Sequence, residues 1–131
     1  MEEAFASSFV VFAEGIAMWD ATTHAVIGAM RGLELRAEVR AHNVANAETP
    51  NFRAQHVAFE DALADAIQRG TPSAIQPEIT PSPTVINALG NSVELETELI
   101  GAMRDGLHRD TMIAAFNFKT GQLRVAMGGQ R

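Results

Sequence analysis

The most informative stretch of the chain is residues 43–53, which read Asn43-Val44-Ala45-Asn46-Ala47-Glu48-Thr49-Pro50-Asn51-Phe52-Arg53. Its first two asparagines are three residues apart and share one helix face, so both side-chain amides can bond backbone groups at the helix end or on a neighbour. Pro50 cannot continue a helix, and it forces Thr49 into an extended conformation. Asn51 tolerates a left-handed backbone, and Phe52 then presents a large apolar group. These features predict a helix that ends near residue 47 in a defined turn.

A long helix over residues 20–47 is predicted before this turn, with Asp20 or Thr22 as its N-cap. Its apolar residues recur with spacings of four and three, which is typical of a coiled coil rather than of a broad buried face. We call this set the N-terminal seam, and its positions are Val26, Met30, Leu33, Ala37, Arg40 or Ala41, and Val44. The pair Arg36 and Arg40 is like-charged at a spacing of four, as is the pair Glu34 and Glu38, which predicts partners on neighbouring helices.

A second long helix is predicted over residues 91–127, with Asn91 or Ser92 as its cap and acidic residues in its first turns, where the helix dipole favours them. The same spacing recurs here and defines the C-terminal seam: Ile100, Met103, Leu107, Thr111, Ala114, Phe118, Gly121 and Val125. Gly101 and Gly106 also lie inside this helix, where each costs about 1 kcal/mol relative to alanine unless it permits a close approach.

The segment between the two helices, residues 48–90, holds all five prolines. Prolines at this density exclude one continuous helix, so we expect an irregular insert with a single short helix over residues 59–69 and an extended segment over 71–89. The predicted fold class is therefore all-α: the two long helices form an antiparallel, coiled-coil-like hairpin with a Pro-rich insert, and residues 20–127 are one structural domain. Residues 1–19 are expected to be a flexible N-terminal extension.

Composition limits what such a chain can do. With 131 residues it has room for one domain, and its net charge of −6 argues against nucleic-acid binding, which needs a basic surface. No run approaches the roughly 20 apolar residues of a membrane span. Much of the 47% hydrophobic content is alanine, with no Tyr and one Trp, so we expect a thin core that neighbouring subunits complete.

Side chains with catalytic or ligand chemistry are few. Cysteine is absent, which excludes thiolate zinc sites and cysteine nucleophiles. The four histidines stand in no zinc-binding spacing, and we find no pairing of nucleophile and base, so we predict no enzyme activity, no metal and no cofactor. The leading charges, Glu2 and Glu3, are the wrong sign for a secretory signal peptide.

The string at residues 43–53 resembles the signature of bacterial flagellar basal-body rod proteins, Asn-Ile/Leu-Ala-Asn, two residues, then Thr-Pro-Gly-Phe/Tyr-Lys/Arg. Val44 replaces the Ile or Leu and Asn51 replaces the Gly. The segments at residues 33–36 and 91–98 also resemble the small proximal rod proteins, and the likeness covers residues 18–127. Family members tend to begin near Met18, so residues 1–17 are either an extension or untranslated. The matching residues are Asn43, Ala45, Asn46, Thr49, Pro50, Phe52 and Arg53.

The resemblance implies a structural subunit of the proximal rod, the hollow drive shaft that transmits torque and encloses the export channel. It implies export by the flagellar type III apparatus without a cleaved signal, and a place in the periplasmic part of the basal body. The implied partners are other rod subunits, the basal-body adaptor protein, the export apparatus and further copies of this chain in a helical assembly. The alternative is a free-standing helical hairpin that acts as a regulator or secretion chaperone, and oligomeric state separates the two.

Overall fold

A computed structural model describes residues 2–83 and 86–128 of the chain, with side chains described over 21–83 and 86–125. The protein is mostly helical, as predicted, but it also contains a small sheet that the all-α prediction missed. In chain order its elements are α1 (Glu2–Ala45), β1 (Gln55–Ala58), α2 (Glu60–Gln68), a 3-10 turn (Pro72–Ala74), β2 (Glu78–Pro81) and α3 (Leu95–Gly128).

Helix α1 begins much earlier than predicted. It starts at Glu2 rather than near residue 20, so neither Asp20 nor Thr22 is its N-cap. The physical reason is that residues 2–19 contain no proline and only one glycine among many good helix formers, so nothing stops the helix at a weak internal cap. The flexibility expected for residues 1–19 stays a prediction. At the other end α1 stops at Ala45, close to the predicted exit.

The insert is more ordered than predicted. The predicted short helix is confirmed as α2, but the segment expected to be irregular contains the 3-10 turn and β2. Strand β2 pairs antiparallel with β1, with Val57 opposite Ile79 and Gln55 opposite Pro81. The strands were missed because each has four residues and only Val57 is buried in β1, which is too short an alternation to identify from sequence.

The apolar core lies between α1 and the insert. Leu33 and Val39 of α1 pack with Val57 of β1 and with Phe59, which precedes α2. Leu35, Leu63, Ile75 and Met112 surround this cluster. Gly32 makes the close approach possible, because a Cβ there would overlap the Phe59 ring. The insert therefore covers α1 within the single chain.

Helix α3 contacts α1 in reverse order along the two sequences. Near the start of α3, Glu98 bonds Arg40, whereas near its end Lys119 Nζ donates to Thr22 Oγ1 at 2.9 Å. Between these points Asp105 bonds Arg36. The contacting stretches of the two helices thus run in opposite directions.

The face that α3 turns toward α1 is not the predicted C-terminal seam. Glu98 and Asp105 are buried on this face, and Met112, Phe116 and Lys119 are partly buried. Each lies two residues before a seam position, which is a rotation of about 200° around the helix. The predicted pairing of this seam with α1 is wrong, since its five largest side chains are between 51% and 74% exposed: Ile100, Met103, Leu107, Phe118 and Val125.

The N-terminal seam was phased more accurately. Leu33 is buried in the core, and Val26 and Met30 are partly buried. Val44, at the exit of α1, is 46% exposed. Ala37 and Ala41 are exposed as well, so only the first half of this seam is covered within the chain. Helix α3 faces α1 through the buried Glu98 and Asp105 and through the partly buried Met112 and Phe116.

Candidate functional site

The signature residues lie where the exit of α1 meets the entry of α3. Asn43, on the last turn of α1, is fully buried. Its Nδ2 donates to the Gln55 carbonyl at 2.8 Å and to Glu98 Oε1 at 2.6 Å, and its Oδ1 accepts the Gln55 backbone N–H at 3.0 Å. The Asn43 side-chain amide thus joins α1, β1 and α3. Its bonds to the Gln55 backbone agree with the prediction that this amide bonds backbone groups of a neighbouring element.

Asn46 organises the turn itself. Its Nδ2 donates to the His42 carbonyl at 2.9 Å, and Thr49 Oγ1 donates to its Oδ1 at 3.3 Å. The Thr49 N–H bonds the Asn46 carbonyl at 3.0 Å, and the Phe52 N–H bonds the Thr49 carbonyl at 3.3 Å. The backbone bonds predicted for the two signature asparagines are confirmed, and the turn is closed by local hydrogen bonds.

Asn51 adopts the left-handed conformation predicted for it, with a φ of 59°. Its N–H donates to the Leu89 carbonyl at 3.0 Å, which brings the turn against the loop that leads to α3. Since the signature has glycine at this point, the same backbone conformation explains both residues: glycine adopts it freely and asparagine tolerates it.

Asn91 is the main functional residue whose role the sequence did not reveal. It was predicted as a helix cap, but α3 begins four residues later, at Leu95. The Asn91 side chain is fully buried, and its Nδ2 lies within 2.8–3.0 Å of the carbonyls of Asn46, Ala47 and Thr49. The two N–H groups of one amide are therefore shared among three carbonyls of the turn that follows α1, and two of these carbonyls also accept backbone N–H groups within the turn.

Ser92 completes the link between this loop and the chain that leaves the signature turn. Its Oγ accepts the Ala54 N–H at 2.8 Å, and its own N–H donates to the Phe52 carbonyl at 3.1 Å. Like Asn91, Ser92 serves the turn rather than the first turn of α3. In the sequence, the one indication that Asn91 and Ser92 matter was that residues 91–98 also resemble the small proximal rod proteins.

The remaining signature residues face outward. Ala45, Thr49, Pro50 and Arg53 are exposed, whereas Phe52 is partly buried with its ring 5.4 Å from the His42 ring in an edge-on arrangement. The signature thus has an inner part that fixes the helix ends and an outer part that is open to solvent.

An ionic cluster continues the contact between α1 and α3, and we define it as Arg36, Arg40, Glu60, Glu98 and Asp105. Arg40 bonds Glu98 at 2.9 Å and Asp105 at 3.1 Å. Both carboxylates are about nine-tenths buried. The partners predicted for Arg36 and Arg40 on another helix are confirmed, whereas Glu34 and Glu38 are exposed and form no ion pair among the described residues.

Arg36 sits at the centre of the cluster and is itself buried. Its Nη2 bonds both carboxylate oxygens of Glu60 at 2.7 and 2.8 Å, its Nη1 bonds Asp105 at 3.3 Å, and its Nε donates to the Val57 carbonyl at 3.1 Å. The guanidinium also lies 4.4 Å from the centre of the Phe59 ring. Among the described residues, every buried side-chain nitrogen and oxygen has a hydrogen-bond partner, so no buried polar atom of the cluster is left unsatisfied.

The pKa of Glu60 is lowered from its ordinary value of 4.5. Partial burial raises this pKa, but hydrogen bonds from Arg36 and from the backbone N–H groups of Phe59 and Glu60, together with the charge of Arg36, outweigh the burial. The carboxylate of Glu60 is therefore ionised at neutral pH and available to Arg36.

The described residues show no grouping suited to metal binding: none of their histidine and carboxylate side chains form a set of three or more that could hold an ion. No helix within the same residues has the length and apolarity needed to cross a bilayer. The chemistry that the site does show is hydrogen bonding and ion pairing between elements.

This arrangement is that of a helical protein whose signature side chains fix the ends of two long helices to each other. The chain is similar to the flagellar basal body rod protein FlgB of Aeromonas hydrophila, with 28% identity over 113 residues that cover 73% of this chain and 84% of the relative. This likeness supports the flagellar rod proteins as the class to which the signature points. No protein-family model matches the chain.

Proposed function

We propose that this chain is a structural subunit of the flagellar basal-body rod, in its proximal part. It assembles with other rod proteins into the hollow shaft that transmits torque and encloses the export channel. The signature at residues 43–53 and the similarity to FlgB of Aeromonas hydrophila support this role. So does the contact geometry, in which the signature side chains of Asn43 and Asn46 bond other parts of the chain.

The observation that carries the proposal is the exposed C-terminal seam. Its large side chains recur at coiled-coil spacing along a helix of 34 residues, on the face that points away from α1. Burying apolar surface is favourable by about 25 cal/mol for each Å² removed from water, so an exposed apolar stripe of this kind favours association with another protein surface. Neighbouring rod subunits supply the covering surface in this proposal.

Within the assembly, α1 and α3 act as one antiparallel, coiled-coil-like hairpin. The asparagines of the signature turn and the ionic cluster fix the relative register of the two helices, because their hydrogen bonds are satisfied in one alignment only. A subunit with a fixed register presents its exposed seam at a defined spacing, and repeated contacts of this kind that do not close generate a helical tube.

The proposed location is the periplasmic rod, which the chain reaches through the flagellar type III apparatus without a cleaved signal. Other rod subunits, the basal-body adaptor protein and the export apparatus are its proposed partners. The proposed location and partners follow from the likeness to rod proteins, and they indicate that the chain should be looked for in purified basal bodies.

Mass spectrometry of purified basal bodies tests the proposal. We expect the chain in intact basal bodies at a level comparable to other rod proteins, with an N-terminal peptide that also identifies the start site. A deletion strain should lack rods and motility, and the full chain should restore both. A chain that stays in the soluble fraction as a monomer or dimer, while basal bodies assemble without it, would instead favour the regulator or chaperone.

A further inference from the structure

The small sheet has two edges, and the edge formed by β1 is covered by α1. The backbone N–H and C=O of Gln55 bond the side-chain amide of Asn43 at 3.0 and 2.8 Å. The C=O of Val57 accepts a hydrogen bond from the Arg36 Nε at 3.1 Å. Side chains of one helix thus occupy the backbone groups on this side of β1. A further strand could therefore join the sheet only along the other edge, which is the outer side of β2.

The register of the two strands fixes which backbone groups lie on this outer edge. The Ser82 N–H donates to the Ala54 carbonyl at 2.9 Å, so the positions of β2 that bond β1 are 82, 80 and 78, two residues apart. The residues between them, Ile79 and Pro81, stand opposite the β1 residues whose backbone groups bond α1. In an antiparallel pair, the backbone groups of such opposed residues point away from each other. Positions 79 and 81 therefore face outward from the sheet.

Prolines occupy most of this outward register. Pro81 lies at one of the two outward positions within β2. The same alternation, continued by one residue beyond the bonded positions at one end and the other, reaches Pro77 and Pro83. Proline has no backbone N–H, and a carbon of its ring stands in place of that hydrogen. Of the positions 77, 79, 81 and 83, only Ile79 therefore offers a donor to a further strand.

This edge is open to solvent, where an unprotected strand is a template for pairing with another chain. Pro81 and Pro83 are exposed, and Ile79 is 46% exposed. None of the bonded positions 78, 80 and 82 is a proline. A proline there would remove a bond between β1 and β2, whereas a proline at an outward position removes only the donor that a further strand would use. The prolines thus leave the sheet intact and alter its outer edge alone.

We infer that Pro77, Pro81 and Pro83 close the outer edge of β2 against pairing with the same strand of a second copy. Two such edges in full antiparallel overlap would place Thr80 opposite Thr80 of the other copy, and each copy would donate from its outward positions. With the prolines in place, each copy donates only from Ile79, so association between copies is left to surfaces other than the sheet. The inference goes beyond the proposed rod role, because it concerns the strand edge and is tested on the purified chain.

A single-cysteine variant of the full chain measures this pairing. The chain has no cysteine, so Thr80→Cys introduces one thiol, which forms a disulfide between two copies most readily when their β2 edges lie side by side. A second version also carries Pro77→Thr, Pro81→Thr and Pro83→Thr, which restore three outward donors. Under mild oxidation with diamide, the fraction of disulfide-linked dimer should rise at least about tenfold in this version, because three donors from each copy become available. No rise over Thr80→Cys alone would overturn the inference.

The matched control combines Glu78→Thr and Ser82→Thr with the same cysteine. These changes also add threonines, which favour strands, and they remove a charge, but they lie at positions whose N–H groups face β1. No outward donor is added, so the control should give as little dimer as Thr80→Cys alone. A rise in the control equal to that of the threonine-for-proline version would overturn the inference, because strand propensity or charge would then govern the pairing.

Prolines placed within β2 provide a second measurement, which does not require the version without prolines to fold. Ile79→Pro removes only an outward N–H, so it should unfold at about the same temperature as Ile79→Ala, which loses the same side chain. Thr80→Pro removes a bond between β1 and β2, so its Tm should fall several degrees below that of Thr80→Ala. An equal or larger loss from Ile79→Pro, each measured against its own alanine variant, would overturn the assignment of the outward positions and the inference with it.

Discussion

The side-chain nitrogen of Asn43 lies 2.6 Å from a carboxylate oxygen of Glu98, and both residues are at most 9% exposed. This contact joins the last turn of α1 to the first turn of α3 across 55 residues of sequence. It also connects the signature turn to the ionic cluster, because the other oxygen of Glu98 bonds Arg40. The two parts of the site thus form one polar network, which is sensitive to changes in either.

Asn43→Asp should destabilise the fold strongly. The substitution keeps the size of the side chain but replaces the donor to Glu98 with a second buried carboxylate, which costs about 3 kcal/mol or more in unfolding free energy. The loss should shrink in acid, because one proton shared by two close carboxylates relieves their repulsion. Urea unfolding followed by circular dichroism at pH 7 and pH 4.5 measures both effects. Asn117→Asp, at an exposed position on α3, is the control, and an equal loss there would contradict the role of burial.

Asn91→Ala should loosen the exit of α1 without unfolding the chain. Three carbonyls lose their common donor, and we expect a loss of about 2 kcal/mol in stability. Hydrogen exchange of the backbone amides over residues 46–53 should accelerate more than exchange in the middle of α1. Asn117→Ala, which replaces an exposed asparagine on α3, should change neither the stability nor the exchange rates over residues 46–53. Uniform acceleration along the chain would mean that Asn91 stabilises the whole fold instead of the turn.

Two glycines in α3 should respond in opposite directions to alanine. Gly106 has open space around it, so Gly106→Ala should gain up to about 1 kcal/mol from helix propensity. A Cβ at Gly101 would overlap the Arg40 guanidinium, which is held by Glu98 and Asp105. We therefore expect Gly101→Ala to lower the Tm while Gly106→Ala raises it, as measured by thermal unfolding. An equal rise in both variants would show that Arg40 moves aside at no cost.

The ion pair between Arg36 and Glu60 predicts a pH dependence of stability. Because the pKa of Glu60 is lower in the folded state, its contribution is present above the ordinary value of 4.5 and is lost as the pH falls through the lowered pKa. Glu60→Gln should therefore be less stable at pH 7, and this difference should vanish in stronger acid. The side chain of Glu60 is 63% exposed, so solvent screening limits the effect to about 1 kcal/mol. A difference between Glu60→Gln and the parent chain that stays constant from pH 7 down to pH 3 would contradict the assignment.

Sequence alone predicted the features that depend on local chemistry. The helix exit and the left-handed Asn51 are confirmed, and each follows from the backbone preferences of one or two residues. The short helix α2 is confirmed as well, and its prediction rested on apolar residues that share one helix face. The predicted orientation of α3 was wrong because the periodicity of apolar residues identifies an apolar stripe on a helix but not the surface that covers it. Arg36 and Arg40 indicated that a partner helix was needed, but Glu98 and Asp105, seven residues apart, could be assigned to them only once the helices were in place.

Replacing seam leucines with aspartate should separate folding from assembly. Leu33 is 5% exposed in the core, so Leu33→Asp buries an unpaired charge and should unfold the isolated chain. Leu107 is 68% exposed on the outer seam, so Leu107→Asp should keep the circular dichroism spectrum and Tm of the parent chain but abolish motility and entry into basal bodies. His108→Asp introduces the same aspartate at an exposed position one residue away, and a strain that carries it should swim normally. Normal swimming by Leu107→Asp would mean that the outer seam is not an assembly surface, whereas loss of folding in that variant would mean that α3 packs differently within the chain.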